Sequence, residues 1–460
     1  MNMDSKKRAS LARVILLMAL ASTLSQANAA TSPEEAQKLK TVLTPAGAER
    51  NGNKEGTIPE WKGGLTTPTP GFINGGRRPD PFAGEKPLFS ITAQNAAQYK
   101  DKLTPGVQAM LAKYPSTYRL DVYPTHRTAA MPEVIYQKTF KNATSAKVVM
   151  SADGKDTLEG YNGGVPFPIP KSGIELAWNS KLSVTPPYYR LKVNNYLLQA
   201  DGRRVLVSAL SVDFARDFGS KTSVDSGNMW QLVRSVTNGP PIRVGEGIIA
   251  WSSLEETSKS SSWVYLPGQR RVRKLPNPCC DTPTPFSSGL ITFDELQGLS
   301  ASFHKFDWKI VGKKEIYVPY NSNRTLVPAR DADVLGERHL NPDHVRWELH
   351  RVWVLEAQLK QGERHVSPRG TYYLDEDTWI PCLVERYDAQ GTLSRTGFNM
   401  PIAMPDVPVV MTGTWGWYDL IGGSAYIANI YNEQSEQMRT LNPLPFTHFQ
   451  PESMAAEEVR

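Results

Sequence analysis

The spacing of apolar residues changes near position 115 of the 460-residue chain. Over residues 92–114, apolar side chains recur every three or four positions, which predicts helical structure with one buried face. Thr104 and Pro105 interrupt this stretch. A proline suits the first turn of a helix, and a threonine before it can cap the free backbone N–H groups. The pattern therefore predicts two short helices, the second of which is capped by Thr104.

From about Arg119 onward, short runs rich in β-branched and aromatic residues alternate between apolar and polar positions. Trp263 and Tyr265 thus share one face of a strand, while Val264 and Leu266 share the other. Glycine-containing turns separate the runs. We expect a mainly β fold with helices (α+β), built on one curved antiparallel sheet that curls into a barrel or half-barrel.

The N-terminus has the pattern of a secretory signal peptide. Basic residues open it, an apolar run covers residues 14–21, and Ala27-Asn28-Ala29 fits a cleavage site. The run is too short to cross a bilayer, and no later stretch approaches the roughly 20 apolar residues of a membrane helix. We therefore expect a cleaved signal peptide at residues 1–29 and a soluble, exported protein of the periplasm.

Two further segments are expected after the signal peptide. Residues 30–117 form a helical and loop-rich extension, because a proline- and glycine-rich tract at 63–87 is too broken for regular structure. Residues 118–460 form the half-barrel domain that contains the predicted strands. The mature chain is long enough for one large β domain with such an appendage.

Removal of the signal peptide on export would lower the net charge of the protein. The chain has 52 basic and 46 acidic residues, for a net charge of +6. The signal segment contains four basic residues and one acidic residue, so the mature chain keeps 48 basic and 45 acidic residues. An excess this small does not indicate binding to nucleic acid.

An oxidising compartment permits one disulfide among the three cysteines and leaves one thiol over. A bridge from Cys382 to Cys279 or Cys280 is the preferred pairing. A bridge between the neighbours Cys279 and Cys280 is the alternative. The spacing fits neither a zinc site nor a thioredoxin-type motif, which need paired cysteines two positions apart.

The stretch ERNGNKEGTIPEW has the spacing of the first half of an EF-hand calcium loop, with Asn51, Asn53 and Glu55 at alternate positions before Gly56. Position 12 of such a loop would be Lys62, where calcium needs a bidentate glutamate. We therefore interpret the stretch as a pair of turns closed by Gly56, in which polar side chains fold back onto the backbone.

The common catalytic motifs are absent from the sequence, namely the Gly-x-Ser-x-Gly elbow, the His-Glu-x-x-His helix and the phosphate-binding P-loop. His339, His344 and His350 match no helical metal-ligand spacing and are interpreted as surface histidines. The acidic run at residues 375–377 precedes Trp379 and is interpreted as the solvated end of a hairpin. No catalytic residue, cofactor or metal is assigned, which favours binding over catalysis.

The eleven tryptophans are the most conspicuous feature of the composition. In a curled sheet, aromatic residues either fill the core or line an apolar cavity, and both interpretations are kept. A basic run beside the strand of Trp263 could meet an anionic headgroup at the rim of such a cavity. The candidate cavity residues are Ile249, Trp251, Trp263, Tyr265, Phe306 and Trp308, and the candidate rim residues are Arg270, Arg271, Arg273 and Lys274.

Three stretches that begin at Ser261, Leu290 and Tyr372 resemble, in their order, outer-membrane lipoprotein-sorting (Lol-type) proteins. They contain an aromatic-x-Tyr-x-Pro strand and basic stretch, a short helix with Thr292 and Glu295 as capping box, and a strand pair around Trp-x-Pro. The phrases YPTHRTAAMPEVIY and GTWGWYDLIGGSAY resemble more closely still the exported bacterial family called domain of unknown function 1329. This second resemblance extends from about residue 43 to the C-terminus.

The resemblance implies an incomplete antiparallel β-barrel with helices across its mouth, in which lipoprotein carriers hold acyl chains between sheet and lid. It implies no settled activity and no set of binding residues. We expect a periplasmic, non-catalytic binding or carrier protein for a hydrophobic or lipid-like ligand in the cell envelope. The alternatives are a hydrolase acting on a lipid or polymer and an accessory subunit of an envelope transporter. An envelope transporter or an outer-membrane protein is the expected protein partner.

Overall fold

The computed structural model describes residues 31–150, 154–216, 229–255, 260–275, 280–300 and 303–457. The predicted signal peptide and Cys279 lie outside these residues. Among the helices of the described ranges, none combines the length and the apolar character that crossing a bilayer requires.

Strands make up most of the regular structure. In chain order they are β1 (Phe89–Ile91), β2 (Leu120–Val122), β3 (Lys147–Met150), β4 (Asp156–Glu159), β5 (Tyr188–Leu198), β6 (Arg204–Ala215), β7 (Met229–Gly239), β8 (Gly247–Ser253), β9 (Ser261–Leu266), β10 (Arg271–Lys274), β11 (Phe306–Pro319), β12 (Trp347–Leu359), β13 (Arg369–Asp375), β14 (Pro381–Tyr387), β15 (Leu393–Met404), β16 (Val409–Asp419), β17 (Ala425–Ile430) and β18 (Met438–Thr440).

The helices are short. The α-helices are α1 (Pro33–Ala36), α2 (Pro105–Lys113), α3 (Glu133–Ser145), α4 (Gly173–Lys181), α5 (Asp331–Val334) and α6 (Glu452–Glu457). Single 3-10 turns cover Gln37–Lys40, Ala96–Lys102, Pro241–Arg243, Pro267–Gln269, Pro285–Ser287, Phe293–Gly298, Phe303–Lys305, Ser322–Leu326, Pro342–His344 and Phe446–Phe449.

Sixteen of these strands form one sheet, in the order β1-β2-β12-β13-β14-β15-β16-β17-β5-β6-β7-β8-β9-β10, with β11 beside β12 and β18 beside β5. Its strand pairs are antiparallel, apart from a single parallel pairing of Val122 with Trp347. Strands β3 and β4 form a separate hairpin. The sheet is strongly curved but does not close into a barrel, which confirms the predicted mainly β fold and incomplete barrel.

The central strands are buried on both faces. On β14, Leu383 belongs to one apolar cluster and Val384 to another. On β16, Tyr418 belongs to the first cluster and Trp417 to the second. Because successive side chains of a strand point to opposite faces, the two clusters lie on opposite sides of the sheet.

Helix α2 packs on the first face, against β14 and β15. The Thr104 hydroxyl accepts a hydrogen bond from the Val107 N–H at 3.3 Å, so the predicted cap is present. The helix ends at Lys113, directly before Tyr114 and Pro115, as the sequence predicts. The earlier part of the predicted helical stretch is a 3-10 helix rather than an α-helix.

Helices α3 and α4 and the 3-10 turn Phe293–Gly298 cover the second face. Trp178 of α4 is fully buried there. The approach of α4 to β11 depends on Gly173, because a Cβ at that position would lie 2.4 Å from the backbone carbonyl of Trp308. The predicted capping box is also present, since the Glu295 carboxylate accepts from the Thr292 N–H at 2.9 Å.

The N-terminal extension contributes to the main core. Ile58 and Leu103 are buried in the same cluster as residues of the central strands, such as Val352 and Leu383. The predicted boundary between residues 117 and 118 remains a prediction, although the extension and the sheet share this apolar cluster.

The stretch that resembles half a calcium loop forms the predicted turn. The Asn53 Oδ1 atom accepts a hydrogen bond from the Ile58 N–H at 2.9 Å. The Asn53 amide donates to the Glu315 carboxylate at 3.0 Å. Gly56 has a φ of +70°, a conformation that glycine adopts without strain. The side chain of Asn53 is thus used within the protein.

The predicted bridge from Cys382 is wrong. Cys382 is a free, buried thiol, whereas Cys280 is disulfide-bonded. Regular alternation along β14 would place Cys382 on the same face as Val384 and Arg386. On that face, Arg386 contacts Asp294, which belongs to the segment that follows Cys280. A register shift opposite residues 373 and 374 instead places Cys382 in the apolar cluster of Leu383, on the other face.

Candidate functional site

A narrow apolar cavity lies between α2 and the first face of the sheet. Its volume in this conformation is about 20 Å³, which is room for a single water molecule. Residues from the helix, from the segment before β12 and from the sheet converge on it. The principal lining side chains are Val107, Met110, Leu340, Trp347, Phe398 and Tyr418.

The first turn of α2 is fixed to the sheet beneath it. The Gly106 N–H donates to the Oε1 atom of Glu385 on β14 at 2.7 Å. The helix also lies directly on β15, because a Cβ at position 106 would come within 2.3 Å of the Thr396 hydroxyl. The N-terminal end of α2 is therefore anchored by one buried carboxylate and by close contact with the strand.

Glu385 is fully buried, and its second carboxylate oxygen is also satisfied. The Tyr387 hydroxyl donates to it at 2.9 Å, and the Tyr373 hydroxyl at 3.3 Å. Burial raises the pKa of the Glu385 carboxyl, and the hydrogen bond from Gly106 opposes that rise. Glu385 thus anchors the helix as a buried carboxyl group, and both of its oxygens accept hydrogen bonds within the protein.

Arg119 lies at the edge of the cavity. Among the described residues that line the cavity, it alone carries a charge. Its guanidinium is about one-third exposed and forms ion pairs with Asp121, at 2.9 Å, and with Asp343. The cavity therefore combines an apolar interior with a partly exposed arginine at its mouth, whose charge is offset by two aspartates.

A buried group of charged residues lies next to the cavity, and we call it the charged core cluster. It is formed where β12 begins and where β13 turns into β14. The side chains are nearly inaccessible to solvent, with exposures of 8% or less. The cluster comprises Arg127, Arg346, Glu348, His350, Arg351, Asp375, Glu376 and Asp377.

The arginines of the cluster pair with its carboxylates. Arg127 donates to both oxygens of Asp377, at 2.8 Å and 2.7 Å, in a bidentate ion pair. Arg351 donates to Glu376 at 2.6 Å. These charge-assisted bonds are of the strong, geometrically specific kind that arginine forms with carboxylates.

His350 lies between two carboxylates of the cluster. Its Nε2 atom lies 3.1 Å from Glu348, and its Nδ1 atom lies 3.4 Å from Asp375. The ring stacks on Tyr320 with a centroid distance of 3.8 Å. Burial alone would lower the pKa of His350, but Asp375 and Glu348 raise it to about 9, so the imidazole is cationic at neutral pH in this arrangement.

The cluster corrects two interpretations of the sequence. The acidic run 375–377 is buried rather than solvated, with Asp375 fully inaccessible. His350 and His339 are buried, and only His344 is half-buried. The sequence signal is the dense series of charges in RWELHR, which falls inside a run otherwise rich in core residues.

These charged residues are buried because parts of the chain that are distant in sequence pack over them. The N-terminal segment crosses the turn after β13, where Arg351 donates to the backbone carbonyls of Glu49 and Asn51. Arg127 donates to the carbonyl of Arg50 at 3.1 Å. Residues so far away in sequence cannot be placed by periodicity, so the burial could not be predicted.

The predicted cavity residues of β8 and β9 lie in a small cluster of their own. Ile249 and Tyr265 are buried against Met454 of α6. Trp251 and Trp263 pack against this cluster, with ring centroids 4.6 Å apart. Side chains from the C-terminal segment therefore fill the space beside these residues.

Phe306 and Trp308 lie elsewhere, on the second face of the sheet. Their rings are 6.0 Å apart, and Trp308 contacts Phe303 at 5.4 Å. They belong with Trp178 to the large cluster under α4. The structure thus separates the predicted residues into two clusters and brings neither of them to the cavity beneath α2.

The predicted rim residues lie together at the hairpin between β9 and β10. Arg270, Arg271, Arg273 and Lys274 are all exposed. The Lys274 ammonium lies 5.7 Å from the centroid of Trp263. A role for this basic hairpin in binding a headgroup remains a prediction.

Residues 90–455 match the family described as Protein of unknown function (DUF1329). The chain belongs to this family. The resemblance stated from the sequence is thereby confirmed.

This DUF1329 chain is similar to a protein from Pseudomonas aeruginosa that is named Uncharacterized protein PA3922. The two are 36% identical over 453 residues, which cover 96% of this chain and 98% of the relative.

Two crystal structures share 15% identity with the DUF1329 chain. One is a domain from Vibrio parahaemolyticus, named provisionally as an outer membrane lipoprotein-sorting protein, which matches 62% of this chain and 98% of its own with a TM-score of 0.43. The other is a DUF1329 family protein from Desulfovibrio piger, which matches 61% of this chain and 97% of its own with a TM-score of 0.42.

Proposed function

We propose that this protein binds and carries a hydrophobic or lipid-like molecule in the cell envelope. The single observation that supports this proposal is the apolar cavity beneath α2, with Arg119 at its mouth. An apolar interior suits an acyl chain or a similar tail, and a partly exposed guanidinium suits an anionic headgroup.

Binding in this cavity needs α2 to move away from the sheet, because the gap between them is narrow. The helix is suited to such a movement. It is nine residues long, follows the 3-10 segment Ala96–Lys102, and ends at Lys113, directly before Tyr114 and Pro115. Its polar contacts with the sheet region lie at its two ends, where the Gly106 N–H donates to Glu385 and the Lys113 ammonium donates to the Leu420 carbonyl at 2.7 Å.

Burial of the apolar tail supplies the main favourable free energy of binding. Each buried methylene contributes about 0.8 kcal/mol, so burial of an acyl chain supplies part of the free energy needed to displace the helix. Val107 and Met110 would then contact the ligand instead of the sheet. No catalytic group is needed for this role.

The envelope location is part of the proposal. It is supported by the signal-peptide pattern of residues 1–29 and by the pattern of an exported chain without a later apolar run of membrane length. An envelope transporter or an outer-membrane protein as the partner that exchanges the ligand remains a prediction.

The test is a titration of a fluorescent fatty-acyl probe into three proteins. Wild type should bind the probe saturably. Val107→Trp fills the cavity and should weaken binding by about tenfold or more. Ala112→Trp places the same side chain on the exposed side of α2 and should bind within about twofold of wild type.

Circular dichroism and a thermal melt establish that each variant is folded. Absence of saturable binding by wild type would remove the proposal. Equal binding by folded Val107→Trp and wild type would leave a carrier whose ligand lies elsewhere, and would overturn the cavity assigned here.

A further inference from the structure

We propose that His350, Asp375 and Asp377 form a buried site for a divalent metal ion such as Zn²⁺ or Mn²⁺. One nitrogen or oxygen atom from each residue lies within 4.8 Å of the others. All three residues are nearly inaccessible to solvent, with exposures of 1%, 0% and 3%. One imidazole with two carboxylates is a donor set that such ions accept.

The first observation that points to an ion is an unsatisfied carboxylate oxygen. The Oδ2 atom of Asp375 accepts from the Thr378 N–H at 3.0 Å, the Thr378 hydroxyl at 2.8 Å and the Tyr320 hydroxyl at 3.2 Å. The Oδ1 atom is buried and accepts no hydrogen bond from the residues that the structure describes. In the metal-free protein, the charge of this oxygen is met by the His350 imidazolium, whose Nδ1 atom lies 3.4 Å away without forming a hydrogen bond. A divalent ion would displace the Nδ1 proton and take over this role.

The second observation is the distance from that oxygen to His350. The Oδ1 atom of Asp375 lies 3.4 Å from the Nδ1 atom of His350, which is long for a charge-assisted hydrogen bond. Two ligands bound about 2.1 Å from one tetrahedral ion lie about 3.4 Å apart. The pair is therefore spaced as two ligands of a shared ion.

The third observation is the partner of the other imidazole nitrogen. The Nε2 atom of His350 is 3.1 Å from Glu348, which leaves Nδ1 directed towards Asp375. Metal-binding histidines usually donate their second N–H to a carboxylate, which fixes the ring and makes the free nitrogen a better ligand. Glu348 is itself held by the Asn321 amide at 2.9 Å and the His126 N–H at 2.8 Å.

Asp377 completes the site from the turn between β13 and β14. Arg127 uses one lone-pair direction on each of its oxygens. A carboxylate offers about four such directions, so Asp377 can hold Arg127 and an ion together. The ion would join β12 to this turn beneath the N-terminal segment. These three residues leave a fourth coordination position, which a water molecule would fill.

Because the ligands are buried, the ion enters when the protein folds. The experiment therefore unfolds the full mature chain with its disulfide intact. It is refolded with Zn²⁺, with Mn²⁺ or with a chelator, and then dialysed. Metal content and thermal midpoint are measured on wild type, Asp375→Asn, His350→Gln and Glu348→Gln. His339→Gln is the matched control, because His339 is a buried histidine outside the cluster that contacts Thr117 and Leu340.

Wild type should retain one ion per chain and melt at a higher temperature than the protein refolded in chelator. Asp375→Asn and His350→Gln should lose the ion, and Glu348→Gln should bind it about 10- to 100-fold more weakly. His339→Gln should retain one ion per chain. Retention of no ion by refolded wild type would overturn the proposal, as would full retention by both ligand variants.

Anomalous X-ray diffraction from crystals of Zn²⁺-refolded wild type decides the matter if the variants fail to fold. A peak between His350 and Asp375 supports the site. An anomalous map without density at that position refutes it, whatever the metal content of the solution.

Discussion

The backbone N–H of Gly106 lies 2.7 Å from the Oε1 atom of Glu385, and this contact ties the first turn of α2 to β14. The donor belongs to the helix that closes the apolar cavity, and the acceptor belongs to the sheet beneath it. Any opening of the helix from its N-terminal end breaks this hydrogen bond. The strength of the contact therefore controls how readily the cavity opens.

Replacing Glu385 with alanine should loosen α2. The change leaves the buried Gly106 N–H without its acceptor, which costs about 1–3 kcal/mol. Hydrogen exchange at Gly106 and Val107 should become faster, and the free energy of unfolding should fall. Glu385→Gln keeps a carbonyl acceptor and is the control. Unchanged exchange in a folded Glu385→Ala protein would show that the carboxylate does not hold the helix.

A disulfide between positions 106 and 396 should lock the cavity shut. A Cβ at position 106 would lie 2.8 Å from the Cβ of Thr396, and a shift of about 1 Å reaches disulfide spacing. The oxidised Gly106→Cys, Thr396→Cys protein should take up the fluorescent acyl probe much more slowly than the reduced protein. Wild type under the same conditions controls for reduction of the bond at Cys280. Equal uptake by both forms would mean that α2 does not gate entry.

Acid should weaken the contact between β5, β6 and the C-terminal segment. Asp213 accepts from Arg190 at 2.6 Å and 2.8 Å and pairs with His448 at 2.7 Å. Burial raises the pKa of Asp213, but these partners outweigh burial and lower the pKa to about 2. The ordinary pKa of an aspartate is about 3.9, so the stabilisation is complete above about pH 4 and is lost as the pH falls towards 2.

Denaturant titrations at a series of pH values measure this contribution. At neutral pH, Asp213→Asn should lower the free energy of unfolding by about 2 kcal/mol, and the difference from wild type should shrink below about pH 4. Asp201→Asn removes an exposed aspartate paired with Arg203 and should change little. A constant difference between Asp213→Asn and wild type from pH 7 to pH 2 would contradict the assignment.

Cys382 should be inert in the native protein. It is a free thiol, and burial raises its pKa well above the ordinary value, so little reactive thiolate is present. Iodoacetamide should modify it only after unfolding, as peptide mass spectrometry can establish. Rapid modification of Cys382 in folded protein would mean that β14 opens far more readily than its burial indicates.

The locally determined parts of the fold were predictable from the sequence. Thr104 and Pro105 define the start of α2, Thr292 and Glu295 form a capping box, and alternation identifies the strands. These features depend on neighbours within a few positions. For the same reason, the change from helical spacing to alternation near residue 115 marks the passage into the sheet.

The candidate sites were largely not predictable. The burial of Arg351 and Glu376 depends on the N-terminal segment around Glu49, which lies about 300 residues away in sequence. The position of Cys382 depends on a one-residue bulge, which reverses the face that alternation assigns. The aromatic pairs of β9 and β11 were expected either to line a cavity or to fill the core, and which segment fills the space beside them is a property of the complete fold.

The contact between Arg351 and the carbonyl of Glu49 also sets the order in which the molecule can be completed. The two residues are separated by 302 positions, and the N-terminal one is synthesised first. The segment around Glu49 therefore stays without its partner until β12 and the following hairpin have emerged and paired. Contacts of such long range slow folding and expose unfinished surfaces to aggregation. The segment around Glu49, although it is synthesised early, is thus among the last parts of the described chain to reach its final contacts.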